Sequence, residues 1–266
     1  MLQFNVSTHH ADAILTFTPE SKPKTYFVTT RDNKKIAYWY FPVEKSRGVV
    51  ILVHGYGNPG GKSAVFGQVE YLQKAGYSTA LLDLRSYGES EGQQISMGVH
   101  EWKDLEAVYD QMKLLPENNN KKIGFLGISM GAVSSIIEVG QTGKGDFIIA
   151  SVPYANFDSL FSAQLTREGV SPTLFLPLMK QLAYTEFGTE YQKFTAENYI
   201  TRVHVPILII RALHDDVVKS EDAQVLYEAA AQPKTYAEIE SRHDIFYFHP
   251  DEFKEVVLDF LQKNSN

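Results

Sequence analysis

The sequence predicts an α/β protein with a mostly parallel central sheet covered by helices on both faces. Three features carry that prediction. Apolar runs such as VVILV (49–53), KIGFLGI (122–128), FIIASV (147–152) and ILIIRAL (207–213) are continuous rather than alternating, as strands buried on both faces must be. Amphipathic segments at helical spacing separate them. The alternation of strand and helix then persists from residue 49 almost to the end of the chain. A chain of 266 residues, 44% hydrophobic and 21% charged, suits one such domain and can bury a large core without cross-links.

The first twenty residues are expected to form a loose N-terminal tail. TYFVTT (25–30) and KIAYWYF (35–41) are rich in aromatic and β-branched residues, and Asp32-Asn33 separates them, so they read as an antiparallel hairpin. VVILV follows as a buried strand. Phe66, Val69 and Leu72 mark a helix over 63–75, closed by Gly76. STALLDL (78–84) is the next strand. Val99, Trp102, Leu105, Val108, Met112 and Leu115 share a helix face that stops at Pro116. The strand 122–128 leads into a helix from Met130. After the strand 207–213, Ser220 reads as an N-cap, with Glu221 and Asp222 in the first turn. TYAEIE (235–240) is the last strand. Phe253, Val256, Val257, Phe260 and Leu261 line one face of the last helix. Residues 153–205 break the rhythm with a long helical insertion. An insertion at the carboxyl end of a parallel strand sits over the ligand crevice.

Several function classes drop out early. There are no cysteines, which excludes disulfides, thiolate metal sites and cysteine nucleophiles. Net charge is −7 and the basic residues form only isolated pairs, Lys34-Lys35 and Lys121-Lys122, so nucleic acid is not an expected partner. No apolar run approaches the length of a membrane span, and MLQFNVSTHHADAILTF lacks the charge and apolar core of a signal peptide. A cytoplasmic monomer or homodimer is expected, with secretion left open. His9, His10 and Asp12 read as solvated tail residues rather than a metal site. His100-Glu101 lacks the second histidine of a zinc helix. No metal or organic cofactor is implied.

The chemistry concentrates at Gly127-Ile128-Ser129-Met130-Gly131, a Gly-x-Ser-x-Gly corner between a predicted strand and a predicted helix. Such a corner lifts a serine hydroxyl above the sheet edge and aims the next N–H at the same space. The bland alternative is a buried serine that merely starts a helix. A serine at its ordinary pKa needs a base, and the base needs an orienting acid. On this architecture the acid and then the histidine follow the serine along the chain. His214-Asp215-Asp216-Val217-Val218 ends one later strand and Ser241-Arg242-His243-Asp244 ends the next, both at the edge that carries Ser129. Asp215 competes with Asp216 for the acid; His243 competes with His214 and His249 for the base. Upstream, His54-Gly55-Tyr56-Gly57 follows the strand 49–53. The N–H of Tyr56, with that of Met130, is the candidate pair for an oxyanion hole.

These motifs together resemble the α/β-hydrolase superfamily, most closely its bacterial serine-hydrolase (esterase- and lipase-like) branch. The resemblance rests on His54–Gly57, on Asp83, Arg85, Gly88 and Ser90, on Glu101 and Asp104, and on Gly127–Gly131, and runs over residues 35–263. The departures are Ser86 where glycine is usual, no glycine in Arg211-Ala212-Leu213-His214, Arg242 before the histidine, and Lys219 where proline is usual.

The resemblance implies one α/β-hydrolase domain over 1–266 with a small helical cap at 153–205. Its Asp-x-x-Val spacing aligns Asp215 with Val218 and so favours Asp215 as the acid. It implies a Ser129–His243–Asp215 triad acting on a small-molecule carboxylic ester through an acyl-enzyme, with His54, Asp83 and Arg85 in structural roles. Phe157, Phe161, Phe175 and Met179 are the expected apolar substrate contacts, against the plain alternative of core packing. Thioesterase, amidase or peptidase, and carbon–carbon hydrolase readings stay open on the same fold, as does a ligand-binding member without turnover.

Overall fold

A computed structural model describes residues 23–57 and 60–264. The expected tail, with His9, His10 and Asp12, lies outside those residues. Eight strands form one sheet in the order β1-β2-β4-β3-β5-β6-β7-β8. They are β1 (Thr25–Thr29), β2 (Lys35–Phe41), β3 (Gly48–Val53), β4 (Tyr77–Leu82), β5 (Lys122–Ile128), β6 (Ile148–Ser151), β7 (Ile207–Ala212) and β8 (Lys234–Ile239). β1 and β2 form the expected antiparallel hairpin, and β2 also pairs antiparallel with β4. From β4 to β8 every pairing is parallel, so the carboxyl ends of β3, β5, β6, β7 and β8 share one edge.

The helices are α1 (Val69–Lys74), α2 (Trp102–Leu114), α3 (Met130–Thr142), α4 (Phe157–Arg167), α5 (Pro172–Phe187), α6 (Glu190–Lys193), α7 (Ala196–Ile200), α8 (Glu221–Ala229), α9 (Ile245–Phe248) and α10 (Pro250–Asn264). The strand β3 shows why its apolar run is unbroken. Val49, Ile51 and Val53 pack with Leu105 and Val108 of α2 and Ile136 of α3 on one face, while Val50 and Leu52 pack with Leu72 of α1 and Val257 and Leu261 of α10 on the other. Successive side chains of a strand point to opposite faces, and here both faces are core.

The insertion between β6 and β7 holds α4–α7. Phe157 and Phe161 of α4, Ala183 of α5 and Tyr191 of α6 form a small cluster with Val99 from the turn before α2. Two details differ from the sequence reading. The segment 63–75 is not one helix: Lys62–Gln68 winds as a 3₁₀ turn before α1 begins at Val69. Ser220 does not cap α8 with its side chain. Its hydroxyl instead donates to the Ala212 carbonyl at 2.6 Å and accepts from Arg211 Nε at 2.8 Å, so the end of β7 competes successfully for it.

Candidate active site

Ser129 stands between β5 and α3 with φ of +54° and ψ of −116°. A left-handed φ at a non-glycine residue is costly, on the order of 1–3 kcal/mol, and persists only where the surroundings impose it. The surroundings here are tight. A Cβ on Gly127 would lie 2.3 Å from the Gly131 carbonyl oxygen, and one on Gly131 would lie 2.3 Å from that of Val53. Glycine at both flanks lets α3 start directly against β3 and β5. The Ser129 N–H donates to the Ser151 carbonyl of β6 at 2.8 Å, and the Ser129 carbonyl accepts the first helical bond from Val133 at 3.0 Å. Met130, fully buried, is the first residue of α3, and a first-turn N–H has no acceptor within its own helix.

The other two candidates meet directly. Asp215 follows β7 and His243 follows β8, neighbouring parallel strands whose loops are tied by hydrogen bonds from the Leu213 N–H to Ile239 and from the His214 N–H to Ser241. His243 Nδ1 lies 2.8 Å from Asp215 Oδ2 and 3.0 Å from Oδ1. The Asp215 side chain is 1% exposed, and its Oδ1 also accepts the N–H groups of Val217 and Val218, both at 2.9 Å. The Asp-x-x-Val spacing thus has a local cause: the carboxylate folds back onto its own turn and is oriented before the histidine reaches it. Asp216 is exposed. His214 is exposed and pairs with Glu240, while His249 sits between α9 and α10 near Glu252. With Nδ1 committed to Asp215, Nε2 is the histidine's free position. No hydrogen bond joins Ser129 Oγ to His243 among the described residues, and in sites of this chemistry that contact often tightens only around bound substrate.

Burial acts to lower the His243 pKa. The Asp215 charge and hydrogen bond act to raise it, as do the charges of Asp244 and Asp216, and the net position is above the ordinary histidine value. His54 is the opposite case. Burial is the largest influence and holds its pKa below the ordinary value. Its Nε2 accepts the Leu84 N–H at 3.0 Å and Nδ1 lies 2.7 Å from the Gly55 carbonyl, so the ring is a neutral strut under the Tyr56 loop.

The remaining motif residues form the scaffold behind this edge. Arg85 grips Asp104 through Nε and Nη2, the latter at 2.7 Å, and reaches Asp32 through Nη1 at 2.9 Å. Glu101 accepts the N–H groups of Ser96 and Gly98 and the Ser96 hydroxyl. Ser90 Oγ donates to the Asp83 carbonyl at 2.6 Å. Ser86, at a position where glycine is usual, has φ of +68° and anchors its hydroxyl on the Gln94 carbonyl.

The insertion bears on the same edge. Gln164 of α4 donates to the Val217 carbonyl at 2.6 Å, immediately beside the Asp215 turn. Asp222 of α8 accepts the Ser159 hydroxyl at 2.7 Å and the Ala155 N–H at 3.1 Å, fastening the start of α4. Of the expected substrate contacts, Phe157 and Phe161 are buried in the insertion's own cluster and Met179 packs against it, whereas Phe175 stands outside it at 45% exposed. In the sequence Asp222 stood out only as a first-turn acid of α8, and Gln164 had no distinguishing signal. Among the described residues no cluster of three or more His, Asp or Glu is arranged to hold a metal ion, and no helix is long and apolar enough to cross a membrane.

Known proteins share this architecture. The esterase Pf2001 of Pyrococcus furiosus superposes with a TM-score of 0.73 at 26% identity, covering 94% of this chain and 97% of the esterase. The chain belongs to the α/β-hydrolase superfamily. A family model described as serine aminopeptidase, S33, matches residues 44–158 of the hydrolase, a span that includes Tyr56, Ser129 and Met130 and ends before Asp215 and His243. The uncharacterized protein YqkD of Bacillus subtilis (strain 168) is 28% identical over 225 residues, covering 82% of this chain and 72% of YqkD. The uncharacterized protein YfhR of Escherichia coli (strain K12) is 23% identical over 245 residues, covering 90% of this hydrolase and 80% of YfhR.

Proposed function

We propose that this hydrolase cleaves carboxylic esters with an apolar acyl or alcohol group of short to medium length, through a Ser129–His243–Asp215 triad. The observation that carries the reading is the strained Ser129 corner on the sheet edge that also bears the His243–Asp215 pair. Ser129 Oγ attacks the acyl carbon as His243 Nε2 accepts its proton. Asp215 holds the proton on Nδ1 and stabilises the imidazolium. The N–H groups of Tyr56 and Met130 receive the developing oxyanion. The imidazolium then protonates the departing alcohol, and a water activated by the same histidine releases the acid from the acyl-enzyme. The insertion acts as a cap, and Met179 and Phe175 contribute to an apolar wall for the substrate. Support for an ester over other acyl compounds comes from the esterase-like architecture shared with Pf2001.

The test is a p-nitrophenyl ester series beside a fluorophosphonate probe. One adduct at Ser129 is expected, with label and turnover both lost in Ser129→Ala. An adduct mapped to another residue, or turnover surviving in that variant, overturns the triad. Labelling without turnover of any ester, thioester or anilide would mark a binding protein instead.

A further inference from the structure

We infer that Lys62 and Tyr87 are positioning residues for oxyanion stabilisation, holding the Tyr56 loop at the far side from His54; the inference rests on the proposed acyl-transfer reading. The loop leaves β3 at His54, and its near end is pinned by the two hydrogen bonds of that imidazole. Its far end is pinned at Lys62, a lysine only 4% exposed. The Lys62 N–H donates to Asp83 Oδ1 at 2.7 Å. Its ammonium pairs with Asp83 Oδ2 and, at 3.0 Å, with Glu89 Oε2, and lies 4.8 Å from the centre of the Trp39 ring. Asp83, itself buried, also accepts the Glu89 N–H at 3.0 Å.

Tyr87 packs against both His54 and Gly60. Its ring packs edge-on against His54, with centroids 4.6 Å apart. On the other side a Cβ at Gly60 would fall 2.3 Å from Tyr87 Cε1, so the Gly60 backbone lies directly on the ring. Among the described residues, no hydrogen bond or ion pair joins Lys62 or Asp83 to Ser129, Asp215 or His243. A buried ammonium between two carboxylates costs desolvation that an apolar residue of similar size would avoid. What the ion pair supplies is direction: one carboxylate holds both the backbone and the side chain of Lys62 and thereby sets where the loop ends. An oxyanion donor works only if it is in place before charge develops, so this clamp acts on the transition state through Tyr56.

The experiment compares Lys62→Met, Lys62→Arg, Tyr87→Leu and Glu89→Gln with the parent protein. Rates are normalised by active-site titration with a fluorophosphonate. Affinity for a trifluoromethyl ketone, which forms a tetrahedral oxyanion, is measured alongside. Removing an oxyanion donor typically costs about 10²–10³ in kcat. Misplacing one should cost less, so Lys62→Met and Tyr87→Leu should lower kcat roughly 10–100-fold with KM nearly unchanged. Ketone affinity should fall by the same factor, the pH profile should stay in place, and Lys62→Arg should recover most of the loss. If Lys62→Met does not fold, Glu89→Gln removes one leg of the clamp from a half-exposed position and should show the same pattern at smaller size. Unchanged kcat per titrated site, or a rate loss without a matching loss of ketone affinity, overturns the inference. Failure of the triad reading shows separately, as turnover that survives Ser129→Ala.

Discussion

At the sheet edge, position is enforced atom by atom. Asp215 takes two backbone N–H groups before it meets His243, Ser129 is held at φ of +54° by contacts that admit only glycine beside it, and His54 is bonded at both nitrogens. The insertion, the proposed cap, is held by other means. Its helix α5 buries Ala183 alone, leaves Leu174, Phe175, Leu178 and Leu182 exposed, packs Leu176, Met179 and Phe187 against the cluster that includes Val99, and pairs Glu186 with Gln94 near its C-terminal end. Hydrogen bonds weaken steeply when displaced by an ångström, whereas apolar cover is non-directional and scales with area. Changes at the edge should therefore cost rate and spare stability, and changes in the cap should do the reverse or tune chain length.

The hardest test of that contrast is Asp215→Asn beside Asp216→Asn. The first should lower kcat by about 10³–10⁴ because the amide favours the wrong imidazole tautomer, while the second, at an exposed carboxylate, should cost little. Equal losses would mean that orientation at this edge is not what matters. In the cap, Phe161→Ala should destabilise by about 3–5 kcal/mol in urea unfolding, and Phe175→Ala by less than about 1 kcal/mol. With a p-nitrophenyl ester series, kcat/KM should rise by up to about fourfold per methylene from acetyl towards butyryl or hexanoyl, the value of about 0.8 kcal/mol for each CH₂ buried. Phe175→Ala or Met179→Ala should flatten that rise. If acetyl esters are best and only stability responds, the cap is packing and contributes no pocket.

Titration gives a finer comparison. In the proposed mechanism His243 must be neutral to accept the serine proton, and its pKa lies above the ordinary value because Asp215, together with Asp244 and Asp216, outweighs burial. kcat/KM should therefore rise with pH through an apparent pKa above about 6.5. In Asp215→Asn the largest attraction is gone while burial and the weaker pull of Asp244 and Asp216 remain, so the residual activity should titrate lower. A stability effect of a few degrees is expected at Glu138, in α3. Its Oε2 has no partner among the described residues, and burial raises its pKa well above the ordinary value. A raised carboxyl pKa contributes stability that is present at low pH and is lost as pH rises from the unfolded value of a glutamate through the folded one. Glu138→Gln should therefore raise Tm at pH 8 by a few degrees, for about 1–2 kcal/mol, and gain nothing at pH 4.

Strands and helices were legible because their signals are local. Unbroken apolar runs need only two covered faces, and the corner at Ser129 needs only glycine on each side at a strand–helix junction. That Asp215 rather than Asp216 pairs with His243 was legible only through a family spacing, whose cause, the carboxylate's bonds to the N–H groups of Val217 and Val218, is itself local. Ser220 misled because a good capping residue was claimed by Arg211 and the Ala212 carbonyl from the neighbouring strand.

Amino-acid order alone determined that this protein would be a parallel α/β sheet with a serine on a strained corner and an acid and a histidine after it, because each depends on residues within one turn or one strand. Sheet order, the position of the His243 pKa and the Lys62 clamp were decided only in three dimensions. Asp83 and Glu89 lie 21 and 27 residues from Lys62, and only the pairing of β3 beside β4 brings their loops together. A charge interaction depends on separation in space and on burial, and neither is a property of position along the chain.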